Sequence, residues 1–337
     1  MAPHPLSGRG GGRGGPKGRG GPKGRAGAGR PAGGKRPRDG ASGAPDPLRP
    51  QRAKAPSERR RAAADDKRER RRAAVDAVRA AIRPGPGKEL IHGRRPVLEA
   101  LRAGRGVERI FVASGAGERG ALADLVNLAK TRRVPIQTVA RQAIDAEADA
   151  AVHQGVVAIV APLTSVELDQ LLAAPLADPN GEPPFLLALD SVTDPHNLGA
   201  LVRSADAAGA HGVLVPQHRS APLSAVAVKS SAGALEHVPV AEVVNLARAL
   251  DKLRASGLWC IGLDEGAETS LFDVDLADEP VCIVVGGEGA GLHRVVRQAC
   301  DVVVSIPMAG HIESLNASVA GAIALFEIRR RRGPIRR

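Results

Sequence analysis

Residues 189–216, LDSVTDPHNLGALVRSADAAGAHGVLVP, contain the pattern that decides the fold. An apolar run over 185–190 enters a turn of small polar residues, and a second apolar run over 212–216 follows the helix that this turn opens. Such runs, separated by helices, predict buried strands of a parallel sheet. The turn holds Asn197, and Arg203 lies about one and a half helical turns further along. Polar residues at a strand end indicate a functional site.

The same alternation continues to the C-terminus and predicts a doubly wound α/β domain, whose ligands bind at the carboxyl ends of the strands. We expect strands at 185–190, 212–216, 238–242, 258–264, 281–286 and 302–306. The helices between and after them are expected at 197–208, 222–234, 244–256, 291–299 and 315–329.

A smaller α/β unit of about 70 residues is predicted before this domain. Its helices are expected at 96–103, 121–131 and 141–147, and its strands at 109–113, 135–139 and 155–161. A helix over 166–172 and a Pro-, Gly- and Asp-rich stretch over 173–184 then connect the two units. The expected boundaries are 1–56 (basic tail), 57–88 (charged helix and Pro/Gly linker), 89–163 (small domain), 164–184 (linker), 185–332 (large domain) and 333–337 (basic tail).

Positive charge is concentrated at the N-terminus. Residues 1–88 hold 24 of the 48 Lys and Arg residues but 7 of the 36 Asp and Glu residues, a balance of +17, so the remaining chain carries −5. The Gly-, Arg-, Lys- and Pro-rich tail has too little apolar surface to fold, and we expect disorder and either a solubilising role or a polyanion tether. The stretch over 57–82 predicts a helix without much of an apolar face, either solvated or dependent on RNA.

Composition narrows the function classes. No signal peptide and no apolar run of about 20 residues is present, so we expect a cytoplasmic protein that does not enter a membrane. The three cysteines lie in or beside apolar runs and lack the spacing of metal ligands, which predicts buried, reduced thiols. His196 and His311 have no third ligand at a suitable spacing, so we expect no metal site. The absence of Tyr argues against recognition of RNA by aromatic stacking.

Two later segments join the first as candidate site elements. One is the glycine loop VVGGEGAGL (284–292); it lacks the glycine spacing and position of a dinucleotide-binding fingerprint, which argues against a dehydrogenase. The other is SIPMAGHIESLNASVAGAIALFE (305–327). A purely structural role remains open for most of the polar candidates. Asn197 could cap its helix, Arg203 could be an ordinary surface residue, and Ser314 and Asn316 could cap the final helix. Glu288, inside the glycine loop, is unusual for a simple turn.

Together these segments resemble the three signature motifs of the SpoU (TrmH) family of RNA ribose 2′-O-methyltransferases. The stretch IHGRRPVLEALRAG (91–104) also resembles the start of the substrate-binding domain in the 23S rRNA guanosine branch, which is similar to ribosomal protein L30e. The resemblance implies a SPOUT-type domain with a trefoil knot, a departure from the rule that chains stay unknotted. It also implies a homodimer with active sites near its interface.

The resemblance further implies S-adenosylmethionine as cofactor and RNA as partner. The cofactor would be held around Gly286, Gly287, Ile306, Met308 and Leu315. Arg203 would have the key catalytic role, with positioning residues Asn197, Glu288, Ser314 and Asn316.

Because a guanidinium stays protonated, Arg203 cannot act as a base, and we expect it to orient the 2′-hydroxyl and a phosphate. The sequence does not assign the group that accepts the proton of the 2′-hydroxyl. The alternatives are a tRNA ribose methyltransferase, an rRNA adenosine methyltransferase of the antibiotic-resistance type, and a non-catalytic RNA-binding assembly factor.

Overall fold

A computed structural model describes residues 56–117, 119–148, 153–176, 182–275, 278–312 and 314–333. Nearly all of the basic N-terminal tail, most of the C-terminal tail and part of the predicted linker lie outside these residues. The first described element is a long helix, α1 (Pro56–Ile82). It contacts a four-stranded sheet of order β1-β4-β2-β3, with strands β1 (Glu89–His92), β2 (Val107–Ala113), β3 (Ile136–Val139) and β4 (Val156–Val160).

The small sheet is mixed. Strand β4 pairs antiparallel with β1 and β2, whereas β2 and β3 are parallel. Three helices belong to this unit: α2 (Arg94–Ala103), α3 (Ala121–Thr131) and α4 (Arg141–Glu147). The three predicted strands and three predicted helices are all present, within two residues at each end, and β1 is additional.

The large sheet has seven strands in the order β7-β6-β5-β10-β8-β11-β9, and every pair is parallel. Its strands are β5 (Phe185–Asp190), β6 (Gly212–Pro216), β7 (Val240–Val243), β8 (Trp259–Leu263), β9 (Thr269–Ser270), β10 (Val281–Gly286) and β11 (Val302–Ser305). The helices are α5 (Leu168–Leu176), α6 (Pro195–Ala208), α7 (Ala225–Ser230), α8 (Leu246–Ala255), α9 (Arg294–Gln298) and α10 (Ala317–Arg331). The predicted parallel α/β domain is confirmed.

Both faces of the large sheet are buried, as the uninterrupted apolar runs predict. Along β5, Phe185, Leu187 and Leu189 belong to one apolar core, while Leu186 and Ala188 belong to the core on the opposite face. The first core contains residues of α6, α7 and α10 and continues into the small sheet; the second contains residues of α5, α8 and α9. The alternation places helices against both faces of the sheet.

Helix α6 begins and ends on local signals. The Asp194 carboxylate accepts a hydrogen bond of 2.9 Å from the backbone N–H of His196, and Pro195 occupies the first turn. The helix ends at Gly209, whose φ of 75° suits glycine. Because Asp194 is the cap, Asn197 is not, and the capping alternative for Asn197 is wrong.

A buried arginine joins the small unit to the large one. Arg105 donates hydrogen bonds of 2.7 Å to the carboxylates of Glu236 and Glu89 and one of 2.6 Å to the carbonyl of Ala161. Its side chain is 5% exposed and that of Glu236 is 1% exposed. Burial raises the pKa of Glu236, and the Arg105 guanidinium opposes that shift.

Several sequence expectations need correction. Helix α7 is much shorter than the predicted 222–234, because the chain turns through left-handed residues at Ala232 (φ 53°) and Gly233 (φ 97°). Helix α5 runs to Leu176, four residues past its predicted end and into the stretch assigned to the linker. The charged helix α1 does have an apolar end, where Ile82 is fully buried in a core formed with the small sheet.

Candidate active site

The carboxyl ends of β5 and β10 lie side by side, with Asp190 in register with Gly286. They occupy the point where the strand order turns: β6 and β7 lie beyond β5 on one side, and β8, β11 and β9 lie beyond β10 on the other. This is the position at which open parallel sheets bind ligands. The polar turn before α6 and the glycine loop after β10 both start here.

Three predicted polar residues meet at this edge. The side-chain amide of Asn197 donates a hydrogen bond to the Glu288 carboxylate. The amide of Asn316 donates to the same carboxylate oxygen at 3.0 Å and to the side-chain oxygen of Asn197 at 3.2 Å. Asn197 is buried, so its polar groups depend on these partners. We call these three residues the Asn–Glu–Asn cluster.

Asn316 has two roles at once. Its side-chain oxygen accepts hydrogen bonds from the backbone N–H of Ser318 at 2.9 Å and from the Ser318 hydroxyl at 2.6 Å, and it thereby caps α10. Its amide nitrogen remains free to donate to the cluster. The capping alternative is therefore correct for Asn316 and does not exclude participation in the site.

The glycine loop folds back tightly on itself. A Cβ on Gly286 would lie 2.1 Å from the carbonyl carbon of Gly291, and one on Gly287 would lie 2.3 Å from the carbonyl oxygen of Ser191. The N–H of Gly291 donates to the carbonyl of Gly287 at 3.1 Å, which closes the loop. Only glycine fits at the first two positions. Glu288 is held at the tip of this closed loop.

A buried carboxylate anchors the end of the loop, and sequence reasoning missed it. Asp190 accepts a 2.7 Å hydrogen bond from the backbone N–H of His293, and its other oxygen lies 3.1 Å from the His293 ring nitrogen Nδ1. The sequence did contain a signal for Asp190, because a carboxylate at the end of an apolar run lies where parallel sheets bind ligands. The pair ties β5 to the glycine loop.

A cavity of about 350 Å³ lies beside the cluster, within the size range of small-molecule sites. All five predicted cofactor residues line it: Gly286, Gly287, Ile306, Met308 and Leu315. Glu288 and Ser314 line it as well. Two lining carboxylates, Asp264 and Glu265, were not predicted, although they follow β8 at the same edge of the sheet.

The cavity suits a nucleoside that bears a positive charge. Val285, Val304, Ile306 and Leu315 provide the apolar wall. Glu265 provides negative charge, while the second carboxylate, Asp264, is ion-paired with Arg297 at 3.0 Å. S-adenosylmethionine combines an adenine ring with a sulfonium cation, and these residue types match both parts. The residues present therefore fit the cofactor.

Arg203 is not part of the Asn–Glu–Asn cluster. It is exposed on α6 and lines a different cavity of about 580 Å³, with Arg95 and Arg102 of α2 and with Asp206. Burial raises the pKa of Asp206. Asn197 and Arg203 are six residues apart, which at about 100° per residue places them about 120° apart around the helix. The structure thus separates two residues that the sequence analysis placed in one site.

In the described parts of the chain, no group of three or more His, Cys, Asp or Glu side chains is arranged to hold a metal ion. In the same residues, no helix combines the length and apolar character that a membrane crossing requires.

Comparison with known proteins decides the family. The pattern of the SpoU rRNA Methylase family matches residues 184–326, and that of the RNA 2′-O ribose methyltransferase substrate-binding domain matches residues 90–166. A protein of Mycobacterium ulcerans, named an uncharacterized tRNA/rRNA methyltransferase, is 47% identical over 74% of this chain and 81% of its own length. The chain belongs to the SpoU family of RNA methyltransferases.

Other SpoU-family proteins agree with this assignment. The putative TrmH family tRNA/rRNA methyltransferase YacO of Bacillus subtilis is 40% identical over 73% of this chain and 97% of its own. The crystal structure of AviRb from Streptomyces viridochromogenes with S-adenosylmethionine is 29% identical, with a TM-score of 0.61 over 77% of this chain and 98% of that one. This SpoU enzyme therefore uses S-adenosylmethionine to methylate RNA, and the predicted family, cofactor and enzyme class are confirmed.

Proposed function

We propose that this SpoU enzyme methylates the ribose 2′-hydroxyl of a guanosine in 23S rRNA. The observation that carries the proposal is the Asn–Glu–Asn cluster, which adjoins the cavity that fits the cofactor. A polar cluster at that position can bind a ribose hydroxyl next to the methyl donor. The match of residues 90–166 to a 2′-O ribose methyltransferase substrate-binding domain supports ribose as the acceptor. The choice of 23S rRNA guanosine rests on the resemblance of residues 91–104 to that branch.

The cofactor is proposed to bind in the 350 Å³ cavity, with Gly286, Gly287 and Ile306 around its nucleoside and Met308 and Leu315 beside it. When bound, it supplies an electrophilic methyl group on sulfur. The glycine loop that lines this cavity is closed by the hydrogen bond from Gly291 to Gly287. Such preorganisation lowers the cost of binding.

Within the cluster, Glu288 is proposed to accept a hydrogen bond from the 2′-hydroxyl and to take up its proton. The amides of Asn197 and Asn316 hold one carboxylate oxygen, so the other is available to the substrate. Ser314, on the cavity wall, is proposed to help align the ribose. An oriented acceptor within hydrogen-bonding distance is what general base catalysis requires.

Arg203 is proposed to bind an RNA phosphate from the neighbouring 580 Å³ cavity. Among the described residues it makes no ion pair, whereas Arg102 on the same cavity is paired with Glu99 at 2.9 Å. The cavity is also lined by Arg95, Asp124 and Asp206, so Arg203 is the cation proposed to meet the phosphate. A guanidinium suits phosphate recognition, whereas it cannot act as a base. This assignment keeps the expected contact of Arg203 with a phosphate and gives up its expected contact with the 2′-hydroxyl.

The enzyme is proposed to act as a homodimer through α10. Val319 and Phe326 are 47% and 48% exposed, and they lie seven residues apart on one face of the helix with Ile323 between them. An apolar stripe of this kind on a terminal helix is typical of a subunit interface. The two-fold symmetry of a dimer would pair the stripe with itself.

Mapping ribose methylation across all rRNA and tRNA in a strain that lacks the gene tests the proposed substrate. We expect one guanosine of 23S rRNA to lose its methyl group and to regain it when the gene is restored. Restoration with an Asn197→Ala variant serves as the matched control and leaves the site unmethylated. Loss of a tRNA methyl group with unchanged 23S rRNA would instead assign the enzyme to tRNA.

A further inference from the structure

Helix α1 is attached to the rest of the molecule by one end. Val75, Val78 and Ile82 pack against the core that contains Phe111 and Ile144 of the small unit. Arg79 and Arg83 donate hydrogen bonds of 3.0 and 3.2 Å to the two carboxylate oxygens of Glu147 at the end of α4. Every residue from 60 to 74 is exposed. The helix is therefore an arm, anchored over its last two turns and free of the body before them.

The charges on the free part of α1 are segregated. With about 100° per residue, six cations fall in one sector of about 140° around the helix axis: Arg60, Arg61, Lys67, Arg68, Arg71 and Arg72. The acidic residues lie outside that sector: Asp65, Asp66, Glu69 and Asp76. At about 1.5 Å per residue, the basic face is about 18 Å long. We call these six cations the basic face.

The basic face continues the anchoring face. Measured from Arg60, the anchoring residues Val75, Val78 and Ile82 lie at about 60°, 0° and 40°, inside the sector that the cations occupy. The residues of α1 include no internal glycine or proline that would kink the helix. The cations therefore point toward the side on which the small unit lies; Asp66 and Glu69 point away from it, and Asp65 flanks the edge of the basic face at about 140°.

The cations of the basic face repel one another, and acids at its edge offset this repulsion only in part: Asp65 precedes Arg68 by three residues and Asp76 follows Arg72 by four. Lys67 and Arg71, and likewise Arg68 and Arg72, are like charges four residues apart, which repel on a helix surface. Among the described side chains of the free part, one ion pair is formed, between Asp66 and Arg70, and Arg70 lies outside the basic face. A polyanion laid along the basic face would remove this repulsion, which favours a partner with closely spaced negative charges.

We propose that the basic face of α1 binds the phosphate backbone of the RNA substrate and clasps it against the substrate-binding unit. The inference rests on the proposed function for the identity of the RNA. Contact is by charge and does not depend on base sequence. The arm precedes residues 90–166, so the clasp lies outside the stretch that matches the substrate-binding domain.

A charge-matched exchange of faces in the full-length chain tests the proposal. The variant Asp66→Arg, Arg68→Glu, Glu69→Arg, Arg71→Glu preserves net charge and moves two cations from about 80° and 20°, within the basic face, to about 240° and 180°, on the far side of α1. Binding to deproteinised 23S rRNA is measured by filter retention between about 50 and 200 mM salt. We expect an affinity about tenfold weaker than wild type, and a log–log salt dependence shallower by about 1.5 if two phosphate contacts are lost.

Two companion variants sharpen the result. Lys67→Gln, Arg68→Gln, Arg71→Gln, Arg72→Gln removes four contacts and is expected to make the salt dependence shallower by about 3. Arg70→Gln removes a neighbouring cation outside the basic face and should bind as wild type does. Circular dichroism checks that the helix content is retained. Wild-type binding by the face-exchanged variant, with its helix intact, would overturn the proposal.

Methyl transfer separates this proposal from the proposed function. If wild type methylates 23S rRNA and the face exchange raises KM for RNA about tenfold with unchanged kcat, both stand. If wild type binds RNA through the basic face yet methylates only tRNA, the substrate assignment fails and the clasp stands. Vesicles of phosphatidylcholine and phosphatidylserine provide the competing surface. Binding to them that requires the basic face, with RNA binding unaffected by its exchange, would assign α1 to a membrane and overturn the clasp.

Discussion

Replacing Gly286 by alanine should damage the cofactor site without touching a catalytic side chain. The added Cβ would lie 2.1 Å from the carbonyl carbon of Gly291, 2.3 Å from its oxygen and 2.5 Å from the nitrogen of Leu292. Ordinary contacts begin near 3.4 Å, so the glycine loop must move outward by about 1 Å. All three atoms belong to the backbone and cannot rotate away. Overpacking of this kind costs about 1–3 kcal/mol.

The loss should appear in both stability and cofactor binding. The displaced loop lines the 350 Å³ cavity, so we expect the Kd for S-adenosylmethionine to rise at least about tenfold, the equivalent of 1.4 kcal/mol. Titration calorimetry measures the Kd, and thermal unfolding measures the stability. Gly310→Ala is the matched control, since a Cβ there meets nothing within 4 Å. Unchanged affinity and unchanged Tm for Gly286→Ala would refute the assignment of this loop.

Three further predictions concern other parts of the molecule. Arg203→Ala should reduce methyl transfer about 100-fold and change cofactor affinity less than twofold, while the exposed Arg248→Ala changes neither; substantial turnover by Arg203→Ala would defeat its proposed role. Phe326→Asp should convert a dimer into a monomer in light scattering, and a monomeric wild type would end the dimer proposal. Hydrogen bonds led by Arg330 hold the pKa of Glu327 at about 2, below its usual 4.5, so Glu327→Gln should cost about 1 kcal/mol at pH 7. That cost should vanish as pH falls from 4.5 toward 2, and a pH-independent difference would contradict the cause given.

The large sheet was predictable because its strands are buried on both faces. The runs at 185–190, 212–216 and 281–286 are apolar apart from Asp190 at the end of the first, and the structure starts and ends β5, β6 and β10 at those residues. Two of the four edge strands gave no such signal: β1 is four residues long and partly exposed, and β9 has two residues. Their pairing is set by neighbours that are distant in sequence.

The site was predictable as a set of segments but not as a geometry. Asn197, Glu288 and Asn316 meet because β5, β10 and α10 converge, which the three signature segments implied. Arg203 separates from them because of the helical repeat, a fact available from spacing alone. The anchoring of α1 was missed because its three apolar residues lie within a strongly charged stretch. The trefoil knot and the likeness to ribosomal protein L30e stay predictions.

The transfer of a labelled methyl group to 23S rRNA is the most direct test of the proposed ribose methylation. Purified enzyme is incubated with methyl-labelled S-adenosylmethionine and deproteinised 23S rRNA, and the RNA is digested to nucleosides. We expect label in 2′-O-methylguanosine with wild type and none with Asn197→Ala, which removes one of the two amides that hold Glu288. Label on a base, or undiminished ribose methylation by Asn197→Ala, would contradict it.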